Sequence, residues 1–146
     1  MHTFIKQLLS PKAFDHQTKK LDLKETHISW VILTGDYAYK IKKDISYNFI
    51  DYSNIDLRKK YCHDELRLNK KLAKNIYLKV IPIIKTKQGL ALFGKGEIVD
   101  WAIKMRQFAQ DNILKVAIEN HPEPGKIIQN LAQQIANFHQ MASPTT

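Results

Sequence analysis

The chain has little of what covalent and metal scaffolds need. It carries one cysteine, Cys62, in 146 residues. A single thiol excludes an intramolecular disulfide and a cysteine-built zinc site, and it fits a reducing, cytoplasmic setting. Long apolar runs are missing as well. The longest, 30–33 and 80–84, fall far short of the roughly 20 residues that cross a bilayer. Residues 1–10 hold one lysine and no apolar stretch of signal-peptide length. No membrane insertion or export is expected. Arginine is scarce: Arg58, Arg67 and Arg106 stand against twenty lysines.

What is present describes a single globular chain. Hydrophobic residues make up 44% and charged residues 25%, which excludes a disordered or fibrous chain. The net charge is +9, so polyanions such as nucleic acid, anionic lipid or phosphorylated small molecules are attracted. Sequence-specific DNA readers favour the arginine fork. The lysine bias here therefore points first to a solvated surface.

Periodicity divides the chain. Phe4, Ile5, Leu8 and Leu9 recur at helical spacing and stop at Ser10-Pro11. Residues 1–20 read as a helix and a polar loop. Alternation then predicts strands at 21–23, 28–33 and 37–42, the last two joined at Thr34-Gly35-Asp36. Residues 44–52 look irregular. A helix capped by Asp51 or Ser53 should run to about Ala73, with Leu57, Tyr61, Leu68 and Leu72 as its buried stripe. Strands at 76–85, 90–93 and 99–106 follow. A short helix near 113–117 and a long one striped by Ile127, Ile128, Leu131, Ile135 and Phe138 close the chain. Strands grouped before helices argue for an α+β fold with an antiparallel sheet.

Two residues draw attention. Lys40 shares a strand face with the small Ala38, while Tyr37, Tyr39 and Ile41 point the other way. Such a lysine either meets the phosphates of a flat ligand or simply faces solvent, as expected for Lys42 and Lys43. Glu65 falls inside the helix stripe, where a carboxylate needs a partner. It either pairs with a lysine of the hairpin or reaches water at the stripe's edge. The six histidines show no metal spacing, and Cys62 and His63 point apart on their helix. Gly94-Lys95-Gly96 is too short for a phosphate loop. No metal ligand and no catalytic residue is assigned.

A strand lysine held by a helix glutamate is the arrangement of a kinase amino-terminal lobe. The stretches ETHISWVILTGDYAYKIKK, YCHDELRLNKKLA, VDWAIKMRQF and LAQQIANFH resemble the amino-terminal part of the aminoglycoside phosphotransferase-like kinase family. The likeness is nearest to an uncharacterised bacterial branch often fused to a P-loop ATPase domain. It implies a kinase-like lobe at 21–108, with about five antiparallel strands and one long helix. Residues 109–146 would be the first helices of a second lobe. Lys40 would bind the phosphates of ATP with magnesium, Glu65 would hold Lys40, and Ala38 would mark the third strand. Met105, Arg106 and Phe108 would lie on the hinge beside the adenine edge. The turn at 26–29 would cover the phosphates, with the hydroxyls of Thr26 and Ser29 replacing absent glycines.

The family's catalytic His-Gly-Asp does not occur in the sequence. The expectation is a fragment of a kinase-like phosphotransferase that keeps weak ATP binding and does not transfer phosphate alone. A missing second lobe or ATPase domain is the expected partner, and a lone lobe should self-associate through its uncovered apolar side. Two rival readings stand beside it. One is a small basic module for nucleic acid or a partner protein; the other is a non-functional gene remnant.

Overall fold

The computed structural model describes residues 3–142. They form two compact units, which divide after Gln107. The first unit is a mixed α+β body. Its helix α1 (Thr3–Leu8) and a 3-10 turn (Pro11–Ala13) precede strands β1 (Asp22–Glu25), β2 (Ser29–Leu33) and β3 (Tyr37–Lys42). A small hairpin, β4 (Ser46–Tyr47) and β5 (Ile50–Asp51), leads to helix α2 (Ile55–Asn69). Strands β6 (Tyr77–Thr86), β7 (Gly89–Ala91) and β8 (Glu97–Arg106) complete it. The second unit holds a 3-10 turn (Gln110–Asn112), α3 (Leu114–Asn120) and α4 (Pro124–Met141).

Six strands, as the alternation predicts and one more than the resemblance implied, make an antiparallel sheet in the order β1-β2-β3-β8-β6-β7. The β2–β3 turn needs its glycine, since Gly35 has φ of 101°. Thr34 fastens the same turn by donating its hydroxyl to the Tyr37 carbonyl at 2.9 Å. The stretch at 44–52, read as irregular, contains the β4–β5 hairpin, closed by the Tyr52 N–H on the Ile45 carbonyl.

Helix α1 buries Ile5 and Leu8 against Phe14, Ile32, Tyr39, Ile41, Ile81, Ile83 and Ala102. This core lies on the sheet face carrying Tyr39 and Ile41. The opposite face carries Ala38, Lys40 and Lys42, because side chains alternate along a strand. Directly paired residues share a face, so Ser29, Val31 and Leu33 of β2 and Ile103 and Met105 of β8 join them.

Helix α2 starts and faces differently from expectation. Its cap is Asn54, whose side chain accepts the Leu57 N–H at 2.9 Å. Asp51 instead accepts the Ser53 N–H, which settles the turn before the helix. The helix ends at Asn69 rather than near Ala73. Its buried residues are Arg58 and Cys62, while Leu68 and Leu72 are exposed. The inward face is rotated by roughly 80° from the apolar stripe, at about 100° per residue. The cause is ionic. Arg58, Cys62 and Glu65 recur at i, i+4 and i+7, and the two charged ones have partners on the sheet. In the second unit α4 buries none of its residues, and Ile128, Leu131 and Ile135 stay exposed.

Candidate functional site

The site grows from β3. Period two places Ala38, Lys40 and Lys42 on one face, and α2 lays Glu65 across it. Lys40 Nζ donates to Glu65 Oε1 at 2.7 Å. Lys42 Nζ donates to the other oxygen, Oε2, at 2.8 Å. Tyr77 of β6 adds its hydroxyl to Oε1 at 3.4 Å. One carboxylate is thus shared by two ammonium groups and a phenol.

The two lysines differ in access. The Lys40 side chain is 26% exposed and that of Lys42 only 3%. Lys42 is therefore not the solvent-facing lysine that its sequence suggested. Its ammonium lies 4.8 Å from the centre of the Tyr52 ring and 3.5 Å from the Tyr52 hydroxyl. The pocket around it is aromatic on one side and anionic on the other.

Charge states follow from this packing. Burial pushes the Glu65 carboxyl up, but the hydrogen bonds and charges of Lys40 and Lys42 outweigh it and leave the group below the usual range. Burial likewise opposes the Lys42 ammonium, and Glu65 more than offsets it, so Lys42 titrates above an ordinary lysine. Burial next to the Glu65 charge pushes the Tyr77 phenol up to about 12.

Behind this cluster sits a second ion pair. Arg58 Nε donates to both Asp100 oxygens, at 2.9 and 3.1 Å, and its Nη1 donates to the Tyr52 carbonyl at 2.8 Å. Asp100 also accepts the Trp101 N–H at 2.8 Å. Burial pushes the Asp100 carboxyl up, and Arg58 draws it only part of the way back. Tyr52 touches both clusters, through its carbonyl to Arg58 and its ring to Lys42.

The other site residues fall as follows. Ala38 is buried and pairs in register with Met105, which is half-buried. Arg106 and Phe108 are exposed, and Phe108 belongs to the second unit. The backbone of the expected hinge is partly spoken for. The Arg106 N–H donates to the Ile76 carbonyl at 2.8 Å and the Gln107 N–H to the Asp36 carbonyl at 3.0 Å. The Gln107 side chain returns to accept the Gly35 N–H at 3.0 Å. Neither of those two N–H groups meets a ligand without breaking a bond of the fold.

The hydroxyls at 26–29 are not presented to a ligand either. Thr26 turns its hydroxyl inward, donating to the Ser29 carbonyl and accepting the Ser29 N–H. Ser29 is fully buried, and its Oγ has no partner. The tight β1–β2 turn consumes one hydroxyl, and the other is buried.

Three cavities of this unit bear on the site, and one of them borders the Lys42 and Arg58–Asp100 clusters. One of about 610 Å³ is lined by Lys12, Phe14, Leu90 and Lys95. Another, of about 320 Å³, is lined by Trp30, Lys42, Arg58 and Asp100. A third, of about 510 Å³, is lined by Glu25, Thr26, His27, Lys43 and Tyr47, and Lys40 lines none of the three. Among the described residues no group of three or more His, Cys, Asp or Glu side chains gathers as a metal cage. Magnesium is often held by one or two carboxylates together with substrate phosphates, so such a cage is not what an ATP site requires. Among the same residues no helix is long and apolar enough to cross a membrane.

Comparison with known proteins finds uncharacterized relatives. An uncharacterized protein of Mycobacterium tuberculosis and one of Mycobacterium bovis are each 28% identical to the chain over 123 residues. The match covers 84% of this chain and 23% of each relative. The chain thus spans under a quarter of the length of the curated relatives it matches. No family model and no solved structure matches it.

Proposed function

We propose that this chain is the phosphate-gripping part of a kinase-like phosphotransferase: an amino-terminal lobe of the aminoglycoside phosphotransferase-like kind with the first helices of a second lobe. The observation that carries this reading is the Lys40–Glu65 contact at 2.7 Å between strand and helix, with Lys40 still reachable by solvent. A lysine so held offers a fixed ammonium to the phosphates of a nucleotide. ATP brings its magnesium with it, and the metal would neutralise phosphate charge. The side chains that serve the nucleotide are Lys40 as the phosphate contact, Glu65 as its holder, and Ala38 and Met105 as neighbours on the same sheet face. The base end is less well provided, because the Arg106 and Gln107 N–H groups are used inside the fold. Binding by this chain alone is therefore weak, and phosphate is not transferred. The partner is the remainder of a longer protein, in keeping with the share of its relatives that the chain spans.

Calorimetric titration with magnesium-ATP tests this. The expected dissociation constant is about 0.1–1 mM. Lys40→Ala should weaken it by about tenfold, the loss of one charge-assisted contact. Equal heats from both proteins would remove Lys40 from the site, and no heat from either would remove the reading.

A further inference from the structure

We infer that Lys42 is a positioning residue that keeps Glu65 in place when Lys40 turns to an anionic ligand. The inference rests on the phosphate-gripping role of Lys40 proposed above. It starts from an imbalance: two ammonium groups share one carboxylate, with one oxygen each. A simple lysine–glutamate pair is neutral. This cluster keeps one positive charge in surplus, and it does so even while Lys40 remains bound to Glu65.

Access then divides the work. The Lys42 side chain borders the 320 Å³ cavity but is only 3% exposed, its ammonium held between Glu65 and the Tyr52 ring, whereas Lys40 is 26% exposed. A phosphate group can therefore recruit only Lys40. As it does so, Lys40 loosens its hold on Oε1. Without Lys42 the carboxylate would compete with the phosphate for Lys40, and it would lose its only ionic tether on moving. With Lys42 on Oε2 and the Tyr77 hydroxyl near Oε1, Glu65 keeps its charge and orientation. Lys42 itself cannot leave, because an unpaired ammonium at that depth is costly. The neighbouring charges do not take over its role, since Arg58 and Asp100 satisfy each other.

The test watches the ammonium groups directly. Lysine side chains of the full chain are labelled with 15N, and the protected ammonium signals are assigned with Lys40→Met and Lys42→Met. Magnesium-ADP is then added. The expected result is that the Lys40 signal moves while the Lys42 signal stays. Movement or loss of both would overturn the inference and leave Lys40 as a ligand contact. If neither moves, the phosphate-gripping role fails, and the inference fails with it. In parallel, Lys42→Met should weaken magnesium-ADP by roughly tenfold, within the usual range of a coupling between two groups. Lys42→Arg should restore most of that affinity. In a Glu65→Gln background, Lys42→Met should change affinity by less than about twofold, because its effect passes through the carboxylate. A full tenfold loss there would mean that Lys42 does not act through Glu65.

Discussion

Glu65→Ala should cost about 3–5 kcal/mol of stability, the usual scale for leaving a buried charge without its partner. The charge left behind is that of Lys42, whose side chain is 3% exposed. Lys40 adds little to the loss, because it can turn to water. For a chain of this size the melting temperature should fall by roughly 10 °C. The converse change is mild. Lys42→Met leaves Glu65 with Lys40 and Tyr77, and relief of the lysine's desolvation offsets the lost contact, so about 1 kcal/mol or less is expected. A melting experiment on both variants decides the matter, and an equal loss in the two would refute this ordering. The pH dependence carries the same signature. Glu65 titrates below its ordinary value of 4.5. Its contribution is therefore present above that pH and fades as the pH falls below it. Lys42 titrates above its ordinary 10.5. Its contribution is complete below that pH and is lost as the pH rises past it. Glu65→Ala should flatten the acid limb and reverse the alkaline one, because the stranded Lys42 ammonium is relieved when it loses its proton.

Arg58→Met is the second large effect expected. It strands Asp100, which is 10% exposed as a side chain, and frees the Tyr52 carbonyl. A loss of about 3–5 kcal/mol is again the scale. Here the partner change should help. Arg58→Met with Asp100→Asn removes the lone charge and keeps an oxygen for the Trp101 N–H. The double variant should recover about half of the loss. Urea midpoints read both proteins. If single and double variants fall equally, the burden lies in the lost Arg58 packing and not in the stranded charge.

Strand β3 is legible in the sequence because the large Tyr37, Tyr39 and Ile41 alternate with Ala38, Lys40 and Lys42. The same alternation that singled out Lys40 also places Lys42 beside it. Lysine is so common in this chain that one more reads as surface. The leucines of α2 mark a helix but not its inward face. Leu57, Tyr61, Leu68 and Leu72 form the more hydrophobic stripe, but Arg58, Cys62 and Glu65 form the buried one. Hydrophobicity cannot mark a face held by charge. The Asp100 partner of Arg58 lies 42 residues away, and no local pattern announces such a pair. The cap is Asn54, one residue beyond Ser53, and its side chain reaches the Leu57 N–H.

Cys62 sits under α2 between these ionic clusters, fully buried, with burial pushing its thiol up to about 12. While the helix stays docked, the sulfur is neither exposed nor ionised at neutral pH, so alkylating reagents find no target. Each reaction event must then wait for α2 to lift from the sheet. The rate of labelling consequently measures how often the lysine-bearing face opens. Because no other thiol competes, the chain carries a built-in clock for that motion.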